Sequence, residues 1–126
     1  MNNLKRIIWL QSIFSEEFVK ESAAVSPAAN IWQYNFIKNL KKLNIEIYSV
    51  GHNYEPAFPS GKFFVKVLKK NLIKDIENKY FNYINLPFLR DFFLKQKYYN
   101  FLKNFYFQKG DVILTYNDSF LSDVAL

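Results

Sequence analysis

The sequence predicts an α/β domain built on a parallel sheet with helices on both faces. Two observations carry that reading. Short runs of β-branched and aromatic residues alternate with longer stretches whose apolar residues recur every three or four positions, in the order strand, helix, strand, helix, strand, helix, strand. Half of the 126 residues are apolar and a fifth are aromatic, enough for the core of one domain and too little chain for a second.

Residues 4–10, LKRIIWL, form a run suited to a buried parallel strand. A polar loop with Ser15, Glu16, Glu17 and Ser22 follows and ends at SPAANIWQYNFIKNL, residues 26–40. Ser26 is placed to cap a helix, and Pro27 suits its first position because no N–H is needed there. Along that helix Ala29, Trp32, Phe36, Leu40 and Leu43 recur on one face, and Asn44 is a left-handed stop. Residues 45–50, IEIYSV, read as a second strand. The loop GHNYEPAFPSGK has Gly51, Pro56, Pro59 and Gly61 to break regular structure. Residues 63–76 are expected to be helical with Phe64, Val67, Leu68 and Leu72 inward, and residues 80–86 to form a third strand ended by Pro87. Residues 88–108 read as a long helix burying Leu89, Phe92, Phe93, Tyr99, Leu102 and Phe105. Residues 111–117, DVILTYN, read as the fourth strand, and Ser119 opens the first turns of another helix. With right-handed crossovers this order makes a Rossmann-like three-layer sheet.

The net charge is +6, and it is regional: residues 62–109 hold 11 Lys/Arg against 3 Asp/Glu. Abundant Lys, Asn, Ile, Phe and Tyr account for this as a matter of composition. A functional reading is a surface that meets anionic lipid headgroups or a phosphate-bearing substrate. The absence of cysteine excludes disulfides and thiolate metal sites. The start, MNNLKRIIWLQSIF, is interrupted by Gln11 and Ser12 and runs into Glu16 and Glu17, so it reads as a strand rather than a signal peptide. No run approaches the roughly 18 apolar residues that span a bilayer. A cytoplasmic protein, peripheral at most to the inner membrane face, is expected.

In open α/β sheets ligands bind beyond the carboxyl ends of the strands. Those positions are residues 11–30, 51–62, 87–90 and 116–119, rich in Asn, Ser, His, Tyr and Arg. Neither G-x-G-x-x-G nor G-x-x-x-x-G-K-[ST] occurs, and three glycines in all cannot line a phosphate cradle of either kind. A single His without Cys makes no zinc cluster, and no Asp-x-Asp triplet is present to hold a divalent ion on a nucleotide diphosphate. No cofactor or metal is expected. Ser26, His52 and Asp118 could be assembled into a triad only on paper, with no nucleophile elbow. His52 could serve as a base or a phosphate contact, although a lone loop His is commonly solvated or hydrogen-bonded. Trp32 and Phe36 are core candidates, whereas Asn30 and Gln33 could reach the cleft.

Residues 26–62, SPAANIWQYNFIKNLKKLNIEIYSVGHNYEPAFPSGK, resemble the N-terminal domain of family 4-like glycosyltransferases of GT-B architecture, where a helix bearing Asn and Trp-Gln leads through a second strand to a loop with Pro and Gly-Lys. YINLPFLR, residues 83–90, and DVILTYN resemble the third and fourth strands of that domain. The resemblance implies retaining transfer from a nucleotide sugar to a saccharide or lipid-linked acceptor without a bound metal. The chain would then be an incomplete acceptor-side half, inactive alone, because the nucleotide sugar and the family's glutamate pair belong to an absent C-terminal domain. The family's glycine-rich loop after the first strand has no counterpart here. Ser26, Asn30, Gln33, His52, Arg90 and Asn117 are the expected substrate-binding residues. Two other readings stand beside this one. One is a small basic α/β module that docks on anionic membrane, or less readily on nucleic acid, through Lys66, Lys69, Lys70 and Lys74. The other is a truncated remnant without function.

Overall fold

The computed structural model describes residues 6–22, 25–69 and 72–115. Its elements run β1 (Arg6–Trp9), α1 (Glu16–Glu21), α2 (Pro27–Lys42), β2 (Glu46–His52), β3 (Phe64–Val65), β4 (Glu77–Phe81), β5 (Tyr83–Ile84), α3 (Leu89–Asn104) and β6 (Asp111–Leu114). The main sheet has the order β4-β2-β1-β6 with every pair parallel, and β3 and β5 form a separate antiparallel ribbon. The fold is therefore α/β with a four-stranded parallel sheet, compatible with a Rossmann-like plan.

The pleat of β1 divides the core. Ile7 and Trp9 point to one face and pack with Ile37 of α2, while Ile8 and Leu10 point to the other and pack with Leu94 and Tyr98 of α3. Both faces are thus covered, which is why β1 reads as a near-continuous apolar run. An ion pair ties the sheet at its amino end: Arg6 Nη2 lies 2.6 Å from Asp111 Oδ2, joining β1 to β6.

Helix α2 starts and stops as its sequence dictates. Ser26 Oγ accepts the Ala29 N–H at 3.4 Å, Pro27 takes the first turn, and Asn44 adopts φ 58° beyond the end. Its buried face differs from the apolar stripe, for it carries Asn30, Gln33 and Ile37, with Trp32 and Leu43 exposed. The reason is polar demand from beneath. Trp9 Nε1 and the Phe14 backbone need partners, and the two amides supply them. Trp32 instead stacks on Phe36 with centroids 5.3 Å apart.

Four further expectations are corrected. The polar stretch after β1 contains helix α1, capped by Ser15 and carrying Glu16 and Glu17 at its positive end. The stretch expected as a helix over residues 63–76 instead holds strand β3, with Val65 buried and Phe64 and Leu68 exposed. Its backbone is claimed from outside: Asn53 Nδ2 donates to Lys66 O, and Asn82 Oδ1 accepts the Val67 N–H. The single strand expected at 80–86 is two, because the chain leaves the main sheet after Phe81 and pairs with β3. In α3 the buried residues are Leu94 and Tyr98, while Leu89, Phe92 and Phe93 are exposed in the first turns, which adjoin the ribbon, and Tyr99 is exposed beside the buried Tyr98 on the outer face of the helix. Tyr116, Asn117 and the helix start at Ser119 lie outside the described residues, as does Lys70. Among the described residues no helix is long and apolar enough to cross a membrane.

Candidate functional site at the carboxyl edge

All four parallel strands finish on one edge, at Trp9, His52, Phe81 and Leu114. With β2 and β4 on one side of β1 and β6 on the other, the order reverses beside β1, the place where open α/β sheets leave a crevice.

Side chains rather than glycines shape the loop after β1. Ser12 Oγ donates to His52 O at 2.8 Å and accepts the His52 N–H at 2.9 Å, so β1 and β2 close on one hydroxyl. That closeness requires Gly51, because a Cβ there would lie 2.6 Å from Ser12 Oγ and 2.9 Å from Ser12 Cα. Tyr80 reaches across from β4, donating to Ile13 O at 2.7 Å and accepting the Ile13 N–H at 2.6 Å. Burial pushes its hydroxyl pKa well above the usual phenol range, so it stays protonated. Asn30 makes the third clasp, with Oδ1 accepting the Phe14 N–H and Nδ2 donating to Phe14 O, each at 3.0 Å.

Two cavities open on this edge. The smaller, about 130 Å³, is lined by Gln11, Ser12, Ser26, Asn30, Gln33 and Tyr54, together with Val25 and Ala29. Gln33 Oε1 accepts from Trp9 Nε1 at 2.8 Å. Gln11 Nε2 donates to the Tyr54 hydroxyl at 2.8 Å, while the Gln11 Oε1 is buried without a partner. The larger, about 270 Å³, is lined by His52, Tyr54, Glu55, Tyr83, Arg90 and Asp91, with Pro56 and Leu94 at its walls. Tyr54 stands in both and divides them.

His52 is the last residue of β2, and its ring lies edge-on to Tyr54, Tyr83 and Tyr98, with centroids 5.3, 5.5 and 5.8 Å away. Its Nδ1 is 2.7 Å from the Tyr98 hydroxyl. Burial, with a further push from the Arg90 charge, lowers its pKa to about 4, so the imidazole is neutral at pH 7. Arg90 Nη1 donates to Glu55 O at 3.0 Å and Asn85 Oδ1 at 3.3 Å, and its Nε lies 3.7 Å from Asp91 Oδ1. Burial chiefly raises Tyr83 to about 12, and its hydroxyl donates to Asn53 O at 2.7 Å.

The residues expected from sequence are therefore sorted rather than gathered. Ser26, Asn30 and Gln33 border the smaller cavity, and His52 and Arg90 the larger. Asn30 commits one N–H and one acceptor site of its amide to Phe14, so it positions the loop while it also lines the smaller cavity. Lys66, Lys69 and Lys74 are exposed and share no helix. Gln11, Tyr54, Glu55, Tyr83 and Asp91 complete the site; Gln11, Tyr54 and Glu55 could have been singled out because they follow strand ends, but Tyr83 was hidden inside the expected third strand. A cavity of about 440 Å³ lies at the opposite edge among Arg6, Lys41, Glu46, Asp75 and Glu77. It carries less weight, because Arg6 is spent on Asp111 and strand amino ends are not where such sheets bind.

No family model matches the chain, and no curated protein or solved structure matches it.

Proposed function

We propose that this chain is the acceptor-binding N-terminal domain of a retaining GT-B glycosyltransferase, which holds a saccharide or lipid-linked acceptor at the carboxyl edge of its sheet. One observation supports the reading most directly. The larger cavity is lined by Tyr54 and Tyr83 together with Arg90, Glu55 and Asp91. A sugar presents apolar C–H faces and paired hydroxyls. The half-buried Tyr54 ring is able to pack on the former while the buried Tyr83 backs the cavity wall, and guanidinium and carboxylate groups bond the latter two at a time. Carboxylates and a cation in the same small space disfavour a strongly anionic ligand and suit a neutral, hydroxyl-rich one. The neutral His52 adds no charge to that balance. On this reading the nucleotide sugar is bound by a second domain, no metal or cofactor takes part, and the residues here bind and orient the acceptor.

The test is retention of the chain on an array of immobilised mono- and oligosaccharides, compared with Arg90→Gln and Asp91→Asn variants of unchanged circular dichroism. Selective retention that both substitutions weaken is expected. Absence of retention on every sugar, or retention indifferent to Arg90→Gln, rejects the reading.

A further inference from the structure

The two cavities of the carboxyl edge adjoin at Tyr54, and the smaller one has in its wall a polar group with nothing to bind. Gln11 lines that cavity and is 8% exposed. Its Nε2 donates to the Tyr54 hydroxyl at 2.8 Å, whereas its Oε1 is buried with no hydrogen-bond partner among the described residues. A buried carbonyl left unpaired weakens a fold, so one kept in the wall of a cavity points to a donor from outside the chain. Its polar neighbours are engaged elsewhere, Ser12 with the His52 backbone and Gln33 with Trp9.

The rest of the wall says what such a donor carries with it. Val25 and Ala29 contribute apolar surface, and the first turn of α2 brings its positive end to the same space through Ser26 and Ala29. Ser26 Oγ accepts the Ala29 N–H and keeps its own proton to donate. The volume of about 130 Å³ equals that of about four water molecules in the liquid. A substituent of about that many heavy atoms fits there, and a second sugar ring does not.

We infer that the smaller cavity receives the acetamido group of an N-acetylated amino sugar whose ring lies on Tyr54 in the larger cavity. The inference rests on the saccharide reading above and names the class of sugar. An acetamido group matches the wall part by part. Its N–H supplies the donor that Gln11 Oε1 lacks, its carbonyl oxygen accepts from the Ser26 hydroxyl at the positive end of α2, and its methyl is covered by Val25 and Ala29. The Gln11–Tyr54 bond links the two parts of the site, because the ring that carries the sugar also holds the amide that meets its substituent. A plain hydroxyl reaches the same acceptor but leaves Val25 and Ala29 uncovered. A free amino group is largely protonated at neutral pH, and the helix end beside Ser26 repels that charge.

The test is the affinity of the full chain, by NMR titration, for N-acetylglucosamine and N-acetylgalactosamine, each set against its plain hexose and its free amino sugar. The better N-acetylated sugar is expected to bind about tenfold more tightly than either counterpart, from one methyl buried and one orphan acceptor satisfied. Gln11→Met removes the acceptor and Ala29→Leu fills the cavity from the helix. Each variant, with unchanged circular dichroism, should bring the ratio to about one. In the parent chain the Gln11 side-chain amide signals should shift with the N-acetylated sugar and stay in place with the hexose, a readout that needs no variant to fold. Equal affinity for the N-acetylated sugar and its hexose overturns the inference and leaves the saccharide reading standing, as does a preference that survives either substitution. Failure of the N-acetylated sugars to bind while other sugars are retained on the array does the same. Absence of retention on every sugar overturns both.

Discussion

Replacing Asn30 with Ala removes the clasp on the loop after β1, and the cost can be worked from its two bonds. Asn30 is 5% exposed, and its amide satisfies both the N–H and the C=O of Phe14, itself 1% exposed. Alanine leaves both backbone groups buried without partners, each at about 1–3 kcal/mol. Partial relaxation of the loop lowers the sum to about 2–4 kcal/mol, a large fraction of the roughly 5–15 kcal/mol that holds a domain folded. For a chain of this size that corresponds to a fall of about 10 °C in the unfolding midpoint. Urea denaturation at neutral pH measures it, with the slope expected to stay the same and the midpoint to drop. Asn30→Asp gives a sharper check. Aspartate can still accept from Phe14 N–H, but it can donate to Phe14 O only when protonated, so its folded pKa lies above the unfolded value of about 3.9. Its deficit relative to the parent should therefore shrink as the pH is lowered through that raised pKa. A loss below about 1 kcal/mol in Asn30→Ala would refute the argument and return Asn30 to the ligand-facing role its sequence position suggests.

Three more outcomes follow from the same geometry. Gly51→Ala forces a Cβ onto the Ser12 backbone, 2.9 Å from its Cα, and should destabilise the fold by about 2 kcal/mol or more in chemical denaturation; a neutral result would mean that β1 and β2 do not meet on Ser12. His52 has a folded pKa of about 4 against an ordinary 6.5, so the unfolded chain binds its proton first as the pH falls. The stability this neutral imidazole allows is complete above pH 6.5 and is lost as the pH falls towards 4, by at most about 3 kcal/mol; urea midpoints across that window should show the slope, and His52→Asn should flatten it. Asp111→Ala leaves Arg6 without its carboxylate, with only Tyr106 O at 3.1 Å still accepting from Nη2, and frees the Gln108 N–H that Asp111 accepts at 2.8 Å, so a loss of about 2–3 kcal/mol is expected. Retained stability in thermal scans would show that β6 does not need that tie.

How far the residues spoke for themselves depended on whether a local rule or a distant partner decided each element. Ser26, Pro27 and Asn44 bound α2 through capping chemistry that is written in sequence, and the structure keeps both ends. The apolar spacing of the same helix pointed to Trp32, but its burial follows the polar groups under it, which no periodicity reveals. The stretch from Phe63 shows the same limit more strongly. Its helical spacing is real, yet Asn53 and Asn82 take its backbone bonds and β5 pairs with it, and those partners are distant in sequence. Phe92 and Phe93 read as core because apolar residues usually are, but α3 starts beyond the sheet that would cover them. At the site, His52 and Arg90 were legible from their position after strand ends. Tyr83 was not, because it lies in β5, the strand that leaves the main sheet.

The central claim is that the carboxyl edge binds a saccharide in the cavity between Tyr54 and Tyr83. The most direct measurement is a two-dimensional amide NMR titration of the chain with the disaccharide it retains most strongly on the array. The account predicts shifts confined to the segments bearing His52, Tyr54, Glu55, Tyr83, Arg90 and Asp91, joined by Gln11 and Ala29 where the sugar is N-acetylated, and removed by Arg90→Gln. Shifts clustered at Arg6, Lys41, Glu46 and Glu77, on the opposite edge of the sheet, would contradict it.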